Sequence, residues 1–497
     1  MPNESCASPH FFDAQLLVAP RRILFANAAL TVMVSCASAI HYGRLTIDQE
    51  YRGHTPAATL DPVPGGPFGL SLVAGAGDQP VDIEAFSTND FCGECHTRQY
   101  EELQGSMHSI SHHDALYRSA AEMALREAGP EVYALCAGCH TPQGVASGLV
   151  PHTAEEDLPQ AVTDGVLCDT CHQIGELTGH AGPWGEPGNA SFVLDPDEDR
   201  KFGPPEGDDD AAIHTVETRE FLSTSEFCAG CHTVIHPTNG VRLEHTYAEW
   251  LESPYNEAGI QCQDCHMRSV SEAIEVAREM KPVEILGLSD PSGEVRPIAR
   301  HLFVGGNSNA DVLGGGEKHA RIAEARLRSA ATLELDVPAE VRAGDTLGIE
   351  VTVRNIGAGH SLPTSLVELR RVWVDLRVLD DAGNAIFHSG WTDDAADVGK
   401  DVMRFGALAG DATGAPTYKP WEVTHFLWKR VIPAKQAAAD TFRVRIPADA
   451  GERLTIEARL FYRGAPEFVA RAIMGERYVD LDTVEMASAT ARSSVPR

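Results

Sequence analysis

The pattern of apolar and polar positions changes about two thirds of the way along the chain. From about residue 332, apolar residues alternate with mostly polar ones, which is the period of a half-buried β-strand. The alternating runs are Leu347 to Val353, Val372 to Val378, Phe442 to Ile446 and Ile456 to Tyr462. Turn-forming Gly, Asp and Pro residues separate the runs. The pattern predicts an antiparallel, immunoglobulin-like β-sandwich over residues 332–485 and a tail over residues 486–497.

The preceding region, residues 86–331, shows no such alternation. Its sequence favours short helices joined by long irregular segments. The predicted helices are Thr97 to Met107, His113 to Ala128, Thr246 to Ser253 and Glu317 to Ala331. The chain is therefore predicted to be multidomain, with a mostly α-helical and irregular domain followed by the β-sandwich.

The N-terminal part has the features of an export signal. Arg21 and Arg22 precede an uncharged run from Ile23 to Ile40, of which only Ile23 to Val34 is mostly apolar. Such a run fits the core of a signal peptide better than a membrane-spanning helix. Residues 1–41 are thus predicted to be a signal peptide, with a lipid-modified or uncleaved anchor as the open alternatives. Residues 42–85 are rich in Pro, Gly and Ala, which indicates a linker or an extended arm.

A short pattern, Cys-x-x-Cys-His, occurs five times between Phe91 and Met267 and carries the chemistry. Two cysteines three positions apart, followed at once by a histidine, lie on one face of a helical turn. The thiols can attach one haem as thioethers, and the histidine then reaches the iron as its proximal ligand. The cysteines are Cys92, Cys95, Cys136, Cys139, Cys168, Cys171, Cys228, Cys231, Cys262 and Cys265, and the histidines are His96, His140, His172, His232 and His266. These residues predict five covalent c-type haems.

Other uses of paired cysteines fit this pattern less well. Zinc sites combine two Cys-x-x-Cys pairs, but five pairs do not divide evenly, and zinc does not require a histidine after each pair. Thioredoxin-like chemistry uses one pair, and iron–sulfur sites have other spacings. Local disulfides would not need the histidine. Haem attachment explains all five motifs.

Charge and cysteine use narrow the class of partners and the compartment. The 497-residue chain has a formal net charge of −32, which argues against binding nucleic acid or an anionic membrane surface. Ten of its 12 cysteines lie in the motifs, and the other two, Cys6 and Cys36, lie in the predicted signal region. This use of cysteine agrees with export, and the haem motifs together with the signal region predict an exported protein, in the periplasm or on the outer cell surface and either free or anchored through its N-terminus.

The motifs and their surroundings resemble those of the cytochrome c-554-like (cytochrome c-552/4) family. That family includes the tetrahaem electron carrier of ammonia oxidisers and surface cytochromes of metal-reducing bacteria. The similar stretches are Phe91 to His96 with Tyr100, Ser106 to His108, Asp114 to Tyr117, Gly165 to His172, Lys201 to Pro204, Ser225 to His232, His236 to Gly240, Thr246 to Trp250 with Ser253 and Pro254, Cys262 to Met267, and Asn355 to Thr364. The resemblance implies an electron-transfer protein with a C-terminal β-domain. Five motifs and this added domain distinguish the chain from the ammonia-oxidiser carrier.

The sixth iron ligand separates a carrier from an enzyme. An iron with histidine on both sides is saturated and suited to electron transfer, whereas an open iron can bind a substrate. Five histidines stand out by position or by the family resemblance, although a surface role is the default for any single histidine outside a motif. The candidate distal ligands are His108, His214, His236, His301 and His360. His360 lies in a Gly-rich segment of the predicted β-domain, from which it could cap a haem.

The sequence predicts an exported pentahaem cytochrome that transfers single electrons through closely packed, largely bis-histidine haems. Its expected partners are redox proteins, either quinol-linked proteins or other cytochromes, and homo-oligomers stay open. No residue is assigned a catalytic role. Two alternatives remain: a reductase or oxidase of a small nitrogen or sulfur compound at one five-coordinate haem, and a protomer of an extracellular haem conduit or filament.

Overall fold

The computed structural model describes residues 70–77, 79–179, 185–204, 213–283, 288–289, 295–296, 299–390 and 402–496. The predicted signal region, with Cys6 and Cys36, lies outside these residues. Among the described helices, none is both long and apolar enough to cross a bilayer.

Fourteen α-helices are described, and most of them lie in the motif-bearing region. They are α1 Asn89–Gly93, α2 Thr97–Leu103, α3 Ala115–Ala128, α4 Pro130–His140, α5 Pro142–Ala146, α6 Gln160–Thr163, α7 Cys168–His172, α8 Ser225–Ala229, α9 Thr246–Leu251, α10 Pro254–Glu257, α11 Gln263–His266, α12 Val270–Glu279, α13 Glu317–Ala330 and α14 Glu467–Met474. Few of them exceed eight residues, so long connecting segments run between the motifs.

Local sequence explains where the longer helices begin and end. Asp114 caps α3, because its carboxylate accepts hydrogen bonds from the backbone N–H groups of Leu116 (2.7 Å) and Tyr117 (3.1 Å). Gly129, at φ 97°, ends α3 in a conformation that favours glycine. The first predicted helix ends at Leu103 rather than Met107, and Gly105 lies just beyond this end. The other three predicted helices differ from the structure by one or two residues at their ends.

The strands of the motif-bearing region are short and form small ladders. They are β1 Ala74–Gly75, β2 Ile174–Leu177, β3 Phe192–Leu194, β4 Arg200–Gly203, β5 Thr215–Thr218, β6 Val234–Ile235, β7 Arg242–Glu244, β8 Leu288–Ser289 and β9 Val295–Arg296. Strand β1 belongs to the segment predicted as a linker or an extended arm, and it pairs in parallel with β3. Leu72 and Val73 beside it are buried, so this part of the segment packs against the motif-bearing region.

The C-terminal region is rich in antiparallel sheet. Its strands are β10 Ala331–Asp336, β11 Thr346–Asn355, β12 Arg371–Leu379, β13 Ala385–Ser389, β14 Arg404–Gly410, β15 Pro416–Thr417, β16 His425–Arg430, β17 Ala437–Arg445, β18 Arg453–Arg463 and β19 Thr483–Ser494. One sheet has the order β10-β11-β17. The other has the order β15-β14-β12-β18-β19, with β13 on β12 and β16 on β14. The four runs of alternation correspond to β11, β12, β17 and β18.

The two sheets contribute to one apolar core. The inward residues of β11, such as Ile349 and Val351, belong to the same buried cluster as Val374 and Leu376 of β12 and Ile456 of β18. This shared core is the reason that the alternation is so regular in these strands: every second side chain must leave water.

The predicted C-terminal tail is wrong for residues 486–494. These residues belong to β19, which pairs with β18 from Thr483↔Arg463 to Ser494↔Arg453. Alanine, serine and threonine dominate this strand, so its apolar alternation is weak in the sequence. Pairing with a strongly patterned neighbour overrides that weak local signal.

We expect Leu376→Ala to lower the free energy of unfolding by about 2–5 kcal/mol, because the leucine is fully buried and its truncation leaves a cavity. Leu408→Ala, at a leucine that is 37% exposed on β14, is the matched control and should change it by less than about 0.5 kcal/mol. Urea unfolding followed by far-ultraviolet circular dichroism measures both. Equal losses in the two variants would contradict the described core.

Candidate haem-binding site

Each of the five motifs begins in a helix or a helical turn, and in motifs 1 and 4 the second cysteine and the histidine lie just beyond the ends of α1 and α8. In motif 1 (Cys92 to His96) the His96 N–H donates to the carbonyl of Cys92 at 2.9 Å. The same 2.9 Å bond joins His232 to Cys228 in motif 4 and His266 to Cys262 in motif 5. Motif 2 (Cys136 to His140) ends α4, and motif 3 (Cys168 to His172) forms α7. The helical turn puts both thiols and the histidine on one side of each segment.

All five motifs line one continuous cavity of about 2610 Å³. A single small-molecule pocket usually measures roughly 300–1,000 Å³, so this space suits several prosthetic groups. Seven basic residues also line the cavity and could neutralise acidic groups, such as propionates, of the prosthetic groups bound there. They are Arg98, Lys201, Arg268, Arg278, Arg326, Arg370 and Lys435.

Contacts between thiols give the spatial order of the motifs. The Cys92 thiol of motif 1 lies close enough to that of Cys168 in motif 3 for Cys168 to lower the pKa of Cys92. Motif 4 has two such neighbours, because its Cys228 thiol lies close enough to Cys262 of motif 5 for Cys262 to raise the pKa of Cys228, and the Cys139 thiol of motif 2 donates to the Cys231 carbonyl oxygen at 3.8 Å.

Charge interactions complete this order. The Cys171 thiol of motif 3 is close enough to Cys228 and Cys231 of motif 4 to influence their pKa values. The motifs therefore follow the spatial order 1, 3, 4, 5, with motif 2 beside motif 4.

Four of the five motif histidines face a second imidazole across this cavity. The ring centroids of His96 and His214 are 6.2 Å apart, and those of His232 and His108 are also 6.2 Å apart. The corresponding distances are 6.5 Å for His172 and His301 and 6.4 Å for His266 and His360.

This separation fits one metal ion between two imidazoles. A metal–imidazole nitrogen bond is about 2 Å long, so an ion bound to one nitrogen of each ring separates the ring centres by roughly 6 Å. Direct ring stacking would bring the rings much closer, as it does for Tyr117 and His140, whose centroids are 3.6 Å apart. The residues present thus fit haem iron with axial histidines.

Hydrogen bonds at Nδ1 fix the orientation of most of these rings. The Nδ1 atoms of His140, His172 and His266 lie 2.7, 2.7 and 2.9 Å from the carbonyl oxygens of Ser111, Phe202 and Val304. The Nδ1 atoms of His214, His301 and His360 likewise lie 2.9–3.3 Å from backbone carbonyl oxygens. An Nδ1–H that donates to a carbonyl leaves the Nε2 lone pair free for a metal.

Burial keeps several of these imidazoles neutral. It lowers the pKa of His108 and of His266 to about 3, and the pKa of His140 and of His301 to about 4. Neighbouring histidines contribute to each of these lowered pKa values, as does Arg326 at His266. A neutral imidazole at pH 7 has the free lone pair that iron ligation needs.

The described β-rich region supplies His360 from a tightly held loop. Asn355 donates through Nδ2 to the His360 carbonyl at 2.8 Å, and Leu362 and Ile432 exchange two backbone hydrogen bonds of 2.9 Å. Gly357 passes so close to the end of α13 that a Cβ would lie 2.4 Å from the Ser329 carbonyl oxygen, so only glycine fits there.

Glu102, which the sequence analysis did not single out, positions His301. Its buried carboxylate accepts the His301 backbone N–H at 2.7 Å and also pairs with Arg98 and Arg300. Glu244 was also missed: its Oε1 lies 3.3 Å from Nδ1 of His232. No spacing in the sequence connects either glutamate to a motif histidine.

His236 is placed differently from the other four candidate distal histidines. Its Nε2 lies 3.2 Å from the Trp421 carbonyl oxygen, and its Nδ1 accepts hydrogen bonds from Thr238. Both ring nitrogens are thus engaged by protein atoms. Within the described part of the chain, His236 faces none of the motif histidines, and His140 faces no second imidazole across such a gap.

Comparisons with known proteins show which family model matches part of the chain and which solved structure shares its fold. Residues 91–173 match the family model described as cytochrome c554 and c-prime. A penta-heme cytochrome c552 from Thermochromatium tepidum shares the fold, with a TM-score of 0.58 and 19% identity over 84% of this chain and 100% of that chain. The CARDB domain of the PF1109 protein from Pyrococcus furiosus, 17% identical over 33% of this chain and 87% of that chain, gives a TM-score of only 0.16. Among curated proteins, none matches the sequence.

The motifs and the shared fold define a multihaem c-type cytochrome. The family match and the structural match together support a member of the cytochrome c554-like family. Proteins of this class carry covalently bound haem iron and transfer electrons.

A buried carboxyl group lies near Glu244. Glu368 is 4% exposed, and neither of its side-chain oxygens has a hydrogen-bond partner among the described residues. Burial raises the pKa of Glu368 to about 7, although Lys429 and Arg370 oppose the rise. The carboxyl group is therefore partly protonated near neutral pH in the folded protein.

We expect Glu368→Gln to reduce the pH dependence of stability. The pKa of Glu368 is about 7 in the folded protein and near 4.5 ordinarily, so the folded form binds more protons between these values. The free energy of unfolding should then fall by about 3 kcal/mol as the pH rises from 4.5 to above 7, and this part of the fall should be absent in the variant. Urea unfolding at several pH values measures it. Parallel pH profiles for variant and wild type would contradict a protonated Glu368.

Proposed function

We propose that the chain is an exported pentahaem cytochrome that transfers single electrons through a row of closely packed haems. The observation that carries the proposal is the set of four facing imidazole pairs, each with the separation suited to one iron. Haem supplies one-electron redox chemistry when bound. The ten motif cysteines would anchor five haems, and the five motif histidines would be their proximal ligands.

In this proposal, His108, His214, His301 and His360 are the distal ligands of motifs 4, 1, 3 and 5. The Nδ1 hydrogen bonds hold the axial rings in place, so little reorganisation accompanies a change in iron charge. His236 is not assigned to an iron, because a backbone carbonyl engages its Nε2 at 3.2 Å.

The finer features of the architecture follow from the same proposal. Residues 86–331 form the haem domain, and an immunoglobulin-like sandwich begins near residue 332 and includes β19. The sandwich supplies His360 and thereby closes the motif 5 site. A periplasmic or outer-surface location suits a protein whose haems are attached after export, and other cytochromes or quinol-linked proteins would be its redox partners.

We expect His301→Ala to convert one of the five haems from low spin to high spin, because alanine cannot act as the sixth ligand. His236→Ala is the matched control and should leave the spin states unchanged. Low-temperature electron paramagnetic resonance of the fully haem-loaded protein measures both, and mass spectrometry verifies that five haems remain attached. The ligand assignment fails if His236→Ala, rather than His301→Ala, creates the high-spin signal.

A second candidate function is favoured by the surroundings of His140. This residue faces no second imidazole among the described residues, whereas the other four motif histidines do. A haem at motif 2 would then have an open distal side, at which a small nitrogen or sulfur compound could be reduced or oxidised. Its place beside motif 4 would connect such a site to the row.

We expect wild-type protein to show one high-spin haem that shifts on addition of carbon monoxide, nitrite or hydroxylamine, because an open iron exchanges its sixth ligand. Absorption and electron paramagnetic resonance spectra measure the shift. If all five haems are low spin and none responds, the second candidate is wrong and the carrier function stands alone.

A further inference from the structure

The cavity edge around motif 1 differs from its other edges in both apolar exposure and charge. This edge, here called the motif 1 rim, consists of Glu84, Phe91, Glu94, Glu198, Asp199 and Ile213, all of which line the cavity. It lies at one end of the row of motifs, because among the described residues the only motif that influences the pKa of the Cys92 thiol through its own thiol is motif 3.

Two apolar side chains of the rim are the most exposed large ones in the described part of the chain. Phe91 is 59% exposed and Ile213 is 64% exposed. Phe91 directly precedes Cys92, and Ile213 directly precedes His214, the ring that faces His96. Both side chains therefore flank the motif 1 haem position. Cys95 is, in addition, the one exposed cysteine of the ten in the motifs.

The exposed carboxylates of the cavity are concentrated on this rim. Eight acidic residues line the cavity. Asp114, Asp169, Glu244 and Asp264 are buried or engaged: Asp114 caps α3, and the others pair with Lys201, His232 and Arg268. The other four are the rim residues Glu84, Glu94, Glu198 and Asp199, which are exposed and have no salt bridge among the described residues.

Basic side chains near the rim do not offset these four charges. Nζ of Lys201 lies 2.9 Å from Oδ1 of Asp169, and Oδ2 of the same carboxylate accepts the Ser87 N–H at 2.7 Å. Arg98 shares Glu102 with Arg300, which leaves one surplus positive charge against four carboxylates. The rim is thus an apolar centre within a net negative border.

We propose that the motif 1 rim is the docking surface for a small basic electron-transfer protein. The proposal rests on the electron-transfer function proposed above and identifies the end of the row at which electrons enter or leave. An apolar patch surrounded by positive charge would complement both features of the rim. A second copy of this chain fits poorly, because each copy carries a net charge of −32.

The test uses the haem-loaded full chain and a small lysine-rich monohaem cytochrome c as the probe. Association is measured by stopped-flow electron transfer and by isothermal titration calorimetry over a range of ionic strength. Glu84→Lys/Glu198→Lys reverses two rim charges outside the motifs. Glu340→Lys/Glu350→Lys makes the same net change at exposed positions that do not line the cavity.

We expect wild-type protein to bind the probe at low ionic strength and to lose affinity as salt is added. The rim double variant should associate with the probe at least about tenfold more slowly than wild type. The association rate of the control double variant should stay within about twofold of wild type. Ile213→Lys should weaken binding in the same direction. Ile274→Lys, at an exposed apolar residue of the cavity edge near motif 5, should not.

Three results would overturn the proposal. The rim and control variants could associate with the probe at the same rate, Ile274→Lys could weaken binding more than Ile213→Lys does, or wild-type protein could be a dimer while the rim variant is a monomer. The last result would assign the rim to a second copy. Haem content and spin state are measured on every variant. If wild-type protein has no low-spin haems, the proposed function itself is wrong. If the haems are intact but the rim variant binds the probe as wild type does, only the docking surface is wrong.

Discussion

Two imidazoles can share a metal ion only when the protein holds both rings at the right separation, and most of this chain's architecture serves that constraint. The four facing pairs join residues that are 118, 124, 129 and 94 positions apart in the sequence, as the numbers of His96 and His214, His108 and His232, His172 and His301, and His266 and His360 show. Such pairs bring distant segments together. Backbone carbonyls then fix most of the rings, and burial keeps several of them neutral.

The same constraint explains why irregular backbone is so common around the motifs. Each motif needs only about one helical turn, so the segments between the motifs do not have to be helical. The residues between motifs instead supply carbonyl acceptors, such as those of Ser111, Phe202 and Val304, at the places where an imidazole Nδ1 needs one. The apolar core of the two antiparallel sheets gives the His360 loop a fixed base, since a ligand on an unsupported loop would be poorly positioned.

Electrostatics divides the cavity into regions with different roles. Its deep carboxylates are paired or accept hydrogen bonds, because an isolated buried charge is unfavourable. At the motif 1 rim the carboxylates remain in water and keep their charge. Part of the acidic charge of the chain therefore has a proposed role in docking at the rim, in addition to any role in solubility.

The sequence alone determined the features that depend on local spacing. Cys-x-x-Cys-His defines a haem motif within five residues, and the alternation in β11, β12, β17 and β18 follows from one buried face, so both were predictable. The candidate distal histidines were selected by position and by family resemblance, and tertiary structure separated them: four face a motif histidine, whereas Trp421 engages His236. It also revealed Glu102, Glu244 and the strand at residues 486–494. These depend on contacts between segments far apart in the chain, which no local pattern encodes, because a side chain's partner is decided by the packing of the whole fold.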